Sequence, residues 1–243
     1  MVRPVANPAL GVAKAWAQPL TPASSKIGGK MCSNYRPAGK RGLGFYGAAA
    51  LDDDEIPSKD IYPGASAPLL YRASNEIPRT FLLGTFGLLP HWAKERAFAK
   101  HTYNARAETV ADKPSFRGAW HKRQLCIVPA DAIYEPNYET GNAVWWRIAR
   151  TDGLPMSLAG LWERKNWGDD LPSWSFTLLT VNADHDPVMR RFHKPTDEKR
   201  TVVVLDGDQI DRWLQAKTER EARELLRPCD PGLLETAEGR LPV

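Results

Sequence analysis

Short runs of apolar and β-branched residues, separated by Gly, Pro, Asp or Asn, recur through the middle of the chain. Runs of this length bounded by turn residues predict strands. They cover residues 81–89, 125–128, 144–150, 156–162, 174–181 and 201–205. Helical spacing is confined to residues 92–100 and to the region after residue 207. Strands in the middle and helices near the end, without strand–helix alternation, predict the α+β class with a mainly antiparallel sheet.

The predicted helices after residue 207 have recognisable boundaries. Residues 208–216 form one apolar-periodic segment. Thr218 followed three residues later by Glu221 is a capping box, which predicts the start of another helix, and Pro228 ends it. The acidic residues 52–55 predict a surface turn.

Residues 1–30 differ from the rest of the chain. They are rich in Ala, Pro and Gly, contain no Asp or Glu, and have Lys14 inside their most apolar run. A secretory signal needs an unbroken apolar run of roughly 7–15 residues. We therefore expect residues 1–30 to be a disordered N-terminal extension, which is a wrongly assigned start, a leader or a propeptide. Residues 31–243 are expected to form a single domain.

Composition and charge exclude several classes of protein. The 243 residues are 42% hydrophobic and 26% charged with a mean hydropathy of −0.45, which is typical of soluble globular proteins. No run approaches the roughly 18 apolar residues of a spanning helix, so no membrane partner is expected. Three scattered cysteines, Cys32, Cys126 and Cys229, provide neither a disulfide framework nor a zinc site, and this predicts a reducing cytoplasm. The net charge of +4 is compatible with nucleic acid.

Positive charge is concentrated between residues 94 and 123. This stretch contains eight basic and three acidic residues, and aromatic residues are interleaved with them. Basic side chains for phosphates and aromatic faces for bases are typical of a single-strand binding surface. A solvated basic face beside ordinary core aromatics explains the same composition, and both interpretations stay open at this point.

Cys32 is the most distinctive candidate for chemistry because it directly follows Met31. Removal of Met31 would leave Cys32 as the N-terminal residue, with an α-amine pKa of about 7.7–8.0 and a thiol pKa of about 8.5. The amine of such an aminothiol condenses with an aldehyde to a Schiff base, and the thiol then closes a thiazolidine ring. The alternative is a buried cysteine that merely lies early in the domain.

Other candidate residues are individually weak signals. Glu135 ends an apolar segment, and His193 follows a predicted strand. Asn104, Arg106 and Glu108 alternate, so on a strand they would share one face. Each of these residues has an ordinary structural interpretation when it is considered alone.

Taken together and in order, these segments resemble the SOS response-associated peptidase (SRAP) family. The resemblance is carried by Met31-Cys32-Ser33-Asn34-Tyr35, Phe86-Gly87-Leu88-Leu89-Pro90-x-Trp92, Asn104-Ala105-Arg106-Ala107-Glu108-Thr109, Cys126 to Asp131 with Tyr134-Glu135, and Phe192-His193 before residues 201–205. It implies a branched sheet with a small barrel-like core, flanked by short helices. It also implies covalent capture of abasic sites in single-stranded DNA through a thiazolidine, and thiol-dependent self-processing that exposes the cysteine.

The resemblance also assigns site residues. Four match the family's catalytic positions: Cys32, Asn104, Glu135 and His193. Cys32 would be the nucleophile, Asn104 would hydrogen-bond near the cysteine and sugar, Glu135 would orient the amine and pass protons, and His193 would protonate the opening deoxyribose. Five would contact DNA: Arg36, Phe86, Trp92, Arg106 and Arg200. The family commonly begins Cys-Gly-Arg, so Arg36 stands in for a shifted arginine, and residues 194–200 are longer than usual.

The expected protein is thus a DNA-damage enzyme that acts as a monomer, without metal or cofactor, in the cytoplasm and on the nucleoid when bound to DNA. Two other functions remain open. One is a cysteine peptidase or amidohydrolase that uses Cys32 as thiolate and His193 as base on peptides. The other is a noncatalytic single-strand nucleic-acid binder in which Cys32 is incidental.

Overall fold

A computed structural model describes residues 33–48, 51–77, 79–168 and 173–241. Residues 1–30 and Cys32 lie outside the described residues, so the predictions made for the extension and for the nucleophile stay predictions.

The described residues form eleven strands and four short α-helices. The strands are β1 (Tyr35–Pro37), β2 (Ser66–Tyr71), β3 (Thr80–Phe86), β4 (Asn104–Arg106), β5 (Leu125–Asn137), β6 (Val144–Arg150), β7 (Met156–Lys165), β8 (Ser173–Asn182), β9 (Arg200–Val202), β10 (Val204–Leu205) and β11 (Leu234–Glu238). The helices are α1 (Lys40–Gly44), α2 (Arg117–His121), α3 (Gln209–Gln215) and α4 (Glu219–Arg223). Short 3₁₀ helices cover Asp53–Glu55, Arg96–His101, Met189–Arg191 and Pro231–Leu233. None of the helices described is long and apolar enough to cross a membrane.

The strands form one branched sheet whose centre closes on itself. Pairing runs from β7 through β8, β3, β2 and β5 and returns to β7, which makes a five-stranded barrel. The strands β1, β4, β6, β9 and β10 branch from this ring, and β11 pairs with β6. Only the β3–β8 and β4–β8 pairs are parallel among the pairings described. The predicted α+β class, mainly antiparallel branched sheet and small barrel-like core are confirmed.

The long strand β5 organises this architecture. It pairs with β1, β2, β6 and β7 at different points along its thirteen residues. Its alternate side chains enter two hydrophobic cores, with Val128 in one and Ile127 in the other. The core that contains Ile127 also contains Trp213 of α3, so it lies between the barrel and the helices. The Trp213 indole N–H donates to the Cys126 carbonyl at 2.8 Å and fixes α3 on β5.

The barrel closes tightly enough to require glycine at one position in the β5–β7 seam. A Cβ atom at Gly160 would lie 2.7 Å from the Thr177 carbonyl oxygen of β8 and 3.0 Å from the Cys126 sulfur of β5. Real Cβ atoms do not approach backbone so closely, so any larger residue at position 160 would force the strands apart.

The structure corrects two details of the predicted elements. Strand β4 ends at Arg106, so the expected strand face shared by Asn104, Arg106 and Glu108 is wrong at Glu108, which lies in the turn that follows. The predicted helix over residues 92–100 is a 3₁₀ helix that begins at Arg96. The capping box at Thr218 is confirmed, because its hydroxyl accepts from the Glu221 amide at 3.2 Å.

Candidate active site

Glu135 and His193 meet at the far end of β5. Glu135 lies opposite Trp146 of β6 and is 1% exposed. His193 follows the 3₁₀ helix Met189–Arg191, and its amide donates to the Pro136 carbonyl at 2.9 Å. The His193 Nδ1 atom lies 3.7 Å from Glu135 Oε2. The structure therefore brings together two residues that the sequence predicts to be catalytic.

The surroundings of His193 determine which ring nitrogen holds its proton. Nε2 lies 3.2 Å from the carbonyl oxygen of Arg200, and a carbonyl only accepts hydrogen bonds, so Nε2 is the donor. Burial lowers the pKa of His193, which favours the neutral ring at neutral pH. A neutral ring protonated at Nε2 leaves Nδ1 without a proton, and this nitrogen faces Glu135. Imidazole and carboxylate groups both accept and donate protons in catalysis, so the two side chains fit the roles of acid and base.

His193 is held in an unusual backbone conformation. Its φ of 65° lies in the left-handed region, which costs a residue other than glycine roughly 1 kcal/mol. The Lys199 ammonium donates to the carbonyls of His193 at 3.0 Å and of Lys194 at 2.6 Å. Lys199 therefore closes the turn that orients the imidazole. His193 is one of the residues that line a pocket of about 590 Å³.

Asn104 is connected to β1 through a row of aromatic side chains. It lies on β4 beside Leu178 of β8, and its neighbour Tyr103 packs on Phe86 with ring centroids 5.7 Å apart. Phe86 in turn contacts Tyr35 of β1 at 5.4 Å. This packing fixes the strand that contains Asn104 relative to the strand that follows Cys32 in the sequence.

Two residues predicted to contact DNA have other roles in the structure. Phe86 is fully buried and stacks on Phe176 with centroids 5.4 Å apart, so it presents no face to a base. The expected stacking of Phe86 on a base is wrong because the barrel interior occupies the whole ring.

Arg200 is the second correction. Its side chain is 1% exposed, and the guanidinium bonds the carboxylates of Glu108 at 2.8 Å and Glu198 at 2.7 Å and the Thr180 carbonyl at 2.8 Å. These partners use its donors, so the expected phosphate contact of Arg200 is wrong. Its carbonyl instead accepts from His193.

The other three predicted DNA contacts differ in how much surface they present. Arg36 is mostly buried and binds Asp60 at 2.7 Å and the Leu241 carbonyl at 3.2 Å, so the protein itself occupies part of its guanidinium. Trp92 is 43% exposed. The Arg106 side chain is 51% exposed and pairs with Glu198 at 2.7 Å. Contact of Trp92 and Arg106 with DNA stays a prediction, and it is compatible with their exposure.

The sequence does not point to Lys199, Asp60 or Arg240. Lys199 hydrogen-bonds the His193 carbonyl, Asp60 binds Arg36, and Arg240 binds Asp60. Lys199 lies in the lengthened segment after His193, and that added length was the available signal. Asp60 and Arg240 belong to no motif, and their roles follow only from contacts between residues distant in the sequence. Within the described ranges, no three His, Cys, Asp or Glu side chains are grouped so that they could hold a metal ion.

Comparison with known proteins identifies the class to which this fold and site belong. The family model of the SOS response associated peptidases (SRAP) matches residues 31–238, and the chain belongs to this family. A crystal structure of a protein from Bordetella bronchiseptica is similar with a TM-score of 0.76 and 36% identity, covering 86% of this chain and 100% of that one. A protein of known structure from Bacteroides thetaiotaomicron shares the fold at 22% identity, with a TM-score of 0.72, over 86% of this chain and 92% of that one.

The names of two curated relatives refer to the processing of abasic sites. The abasic site processing protein YoqW of Bacillus subtilis is 32% identical over 148 residues, which is 60% of this chain and 62% of that protein. The abasic site processing protein HMCES of Gallus gallus is 27% identical over 214 residues, which is 72% of this chain and 59% of that protein. The chain thus spans less than two thirds of the length of these relatives.

Proposed function

We propose that this protein recognises abasic sites in single-stranded DNA and bonds to them covalently through Cys32 as an N-terminal residue. The observation that carries the proposal is the buried pair of Glu135 and His193 at the end of β5. This pair lies beside the strand to which the N-terminal segment is joined. The names of the two curated relatives and the family membership support the choice of DNA lesion.

The connection between Cys32 and the pair follows from chain length. Tyr35 of β1 pairs with Ile133, two residues before Glu135 on β5. Cys32 precedes Tyr35 by three residues in the sequence, and three residues span at most about 10 Å. This reach is compatible with direct proton exchange between Glu135 and the α-amine.

In the proposed reaction, the C1′–O4′ bond of the abasic deoxyribose first breaks to give the aldehyde; His193 in its protonated form donates a proton to O4′, and the C1′ hydroxyl proton passes to water. The Cys32 amine attacks C1′, water leaves, and a Schiff base forms. The Cys32 thiol then adds to the imine carbon, its proton passes to the nitrogen, and a thiazolidine results. Glu135 accepts and returns the proton of the amine in these steps. No oxidant or reductant is consumed.

A free α-amine is required, so residues 1–31 must first be removed. We propose that Cys32 itself does this. Its thiol gives its proton to Glu135 and adds to the Met31 carbonyl, the peptide C–N bond breaks, and Glu135 passes that proton to the released amine, leaving a thioester. Water then hydrolyses the thioester to the Met31 carboxylate and a free thiol. The family match begins at residue 31, next to this bond.

The test compares two chains, one beginning at Met1 and one at Met31, each incubated with single-stranded DNA that has one abasic site. A heat-stable shifted band on a denaturing gel is expected. It should be absent with Cys32→Ala and with DNA that has a tetrahydrofuran analogue, which lacks the aldehyde. A band from both chains supports self-processing as well as capture, and a band from the Met31 chain alone removes self-processing from the proposal.

A failure of both chains to form the band, with Cys32 confirmed as the N-terminal residue by mass, would reject covalent capture. Cleavage of peptides without DNA would then favour the hydrolase alternative, and Cys32-independent binding would favour the noncatalytic binder. Glu135→Gln should slow capture at least about tenfold at unchanged DNA affinity, since only the proton transfer is removed. Arg220→Ala, at a side chain that is 88% exposed, is the matched control.

A further inference from the structure

The segment after the last strand returns to the beginning of the described chain. Gly239 follows β11, and its amide donates to the Trp145 carbonyl at 2.8 Å. The Leu241 amide donates to the Tyr134 hydroxyl at 3.3 Å, and the Leu241 carbonyl accepts from Arg36 at 3.2 Å. Residues 239–241 therefore contact β1 through Arg36 and β5 through Tyr134, which is the residue before Glu135.

Arg240 is the centre of this segment. Its guanidinium lies between two aromatic rings, 4.7 Å from the centroid of Tyr134 and 4.5 Å from that of Trp145. Cation–π contacts stabilise a guanidinium more strongly when it is partly desolvated, and here two rings provide them. Arg240 Nη1 also pairs with Asp60 Oδ2 at 3.2 Å. The side chain is thus fixed in one position by three groups.

The same guanidinium reaches the N-terminal segment. With the Asn34 amide oriented so that both groups are satisfied, its oxygen accepts from Arg240 Nη2 at 3.1 Å and also from Nη1. Asn34 is fully buried, so loss of this partner would leave a buried amide oxygen unsatisfied. Asp60 binds Arg36 Nε at 2.7 Å through its other oxygen. Arg240 therefore contacts Asn34 directly and Arg36 through Asp60.

These contacts matter because β1 is a weak strand by itself. It has three residues, and its pairing with β5 is irregular between Arg36 and Pro37. A strand this short fixes its own position poorly without side-chain anchors. Asn34 and Arg36 are among the described residues nearest in the sequence to Cys32.

We propose that Arg240 is a positioning residue that holds Asn34 and Arg36 and thereby restricts the segment of the nucleophile. This inference rests on the proposed function for the chemistry of Cys32. Arg240 does not touch the reacting atoms in this proposal. It acts through Asn34 and Asp60.

Hydrogen exchange of the full chain tests the proposal without DNA. In Arg240→Ala, the amides of residues 34–38, apart from Pro37, should exchange at least tenfold faster than in the parent, whereas those of residues 158–162 in the β7 strand should be unchanged. Arg240→Lys should restore part of the protection, because it keeps the charge and loses the planar double contact. Arg220→Ala is the control and should match the parent throughout. If Arg240→Ala does not fold, the same exchange is measured in Arg240→Gln, whose side-chain amide keeps two hydrogen-bond donors.

A second measurement links position to chemistry. With the Met31 chain, Arg240→Ala should capture an abasic site at least tenfold more slowly at saturating DNA. Its affinity for the tetrahydrofuran analogue should stay within twofold of the parent. Unchanged exchange at residues 34–38 overturns the proposal, and so does an unchanged capture rate. A parent chain that never captures DNA, combined with faster exchange in Arg240→Ala, rejects the proposed function and leaves the anchoring role of Arg240 intact.

Discussion

At the scale of single residues, burial lowers the reactivity of two cysteines by raising the pKa of their thiols. Cys126 is fully buried inside the barrel, and burial raises its pKa well above the usual range. Burial, followed by the nearby Asp186 carboxylate, raises the pKa of Cys229 to about 11. Both thiols are therefore protonated at neutral pH, and Cys126 is also shielded from solvent. The structure leaves them without the thiolate that nucleophilic chemistry requires.

We expect alkylation of the native chain by iodoacetamide at pH 7.5 to spare Cys126 and Cys229. A pKa about two units above the reference value lowers the thiolate fraction of Cys229 about 100-fold. Peptide masses after digestion measure the labelling of each cysteine, and labelling in denaturant provides the fully reactive control. Native labelling of Cys126 at the denatured rate would contradict the closed barrel.

His193 gives a second expectation at this scale, which concerns stability against pH. Burial lowers its folded pKa below the usual 6.5, so the unfolded chain binds this proton first as the pH falls. The contribution of neutral His193 to stability is complete above about pH 6.5 and decreases as the pH drops through its lowered pKa, at most about 1.4 kcal/mol per pH unit.

His193→Asn should remove this dependence while tolerating the left-handed backbone. Urea unfolding of the parent and the variant between pH 7 and pH 5 measures the difference. The groups that face the ring, Glu135 and Lys199 with Asp197 beyond, are common to both proteins. Parallel pH profiles of the two proteins would show that folding leaves the pKa of His193 unchanged, which would contradict the expectation.

At the scale of elements, Arg200 joins the turn after β4 to the β8–β9 pair. It binds Glu108 in that turn, Glu198 before β9 and Thr180 on β8. Hydrogen bonds from Arg200 lower the pKa of Glu198. Arg200 therefore holds the strands from which the His193 turn projects.

We expect Arg200→Met to lower the free energy of unfolding by about 2 kcal/mol at pH 7. The value is below that of a fully buried pair because the two carboxylates are partly exposed and regain water. Because the folded pKa of Glu198 is lowered, its share of the stabilisation is present above the unfolded pKa of about 4.3 and is lost as the pH falls through the folded value. Chemical denaturation at pH 7 and pH 3 should therefore show a smaller difference between parent and variant at pH 3.

The sequence predicts well those elements whose own residues and flanking turns favour the observed structure. Residues 144–150 were predicted as a strand, and β6 has these bounds, because β-branched and aromatic residues fill it and turn residues flank it. Strands β1, β4 and β11 are short or polar and exist because β5, β8 and β6 offer free edges to pair with. Their positions depend on tertiary contacts that no local pattern contains.

The same distinction applies to the site. Motif residues such as Glu135 and His193 were found because a family pattern marks them. Phe86 and Arg200 belong to the same family pattern. However, the Phe86 ring packs inside the barrel, and the Arg200 guanidinium is bound to two carboxylates. A motif records which residues recur together, and it does not separate a residue that touches a substrate from one that supports its neighbour.

At the scale of the whole molecule, stability depends on closure of the barrel between β5 and β7. Gly160→Ala places a methyl group against the Thr177 carbonyl and the Cys126 sulfur, and we expect a loss of about 1–3 kcal/mol from this overpacking. Gly118→Ala in α2 meets no atom within 4 Å and should stabilise the chain by about 0.5–1 kcal/mol. Thermal unfolding of the two variants measures both effects, and equal shifts would mean that the seam at Gly160 is loose.

The side branch β1 has a mechanical consequence for a protein bonded to DNA at Cys32. Tension along the DNA would enter the fold through Tyr35–Pro37 and its antiparallel pairing with β5. From β1 the load would pass through β5 to the ring of β7, β8, β3, β2 and β5. A motor pulling on the strand would therefore strain β1 and its buried Tyr35 before it strained the rest of the barrel.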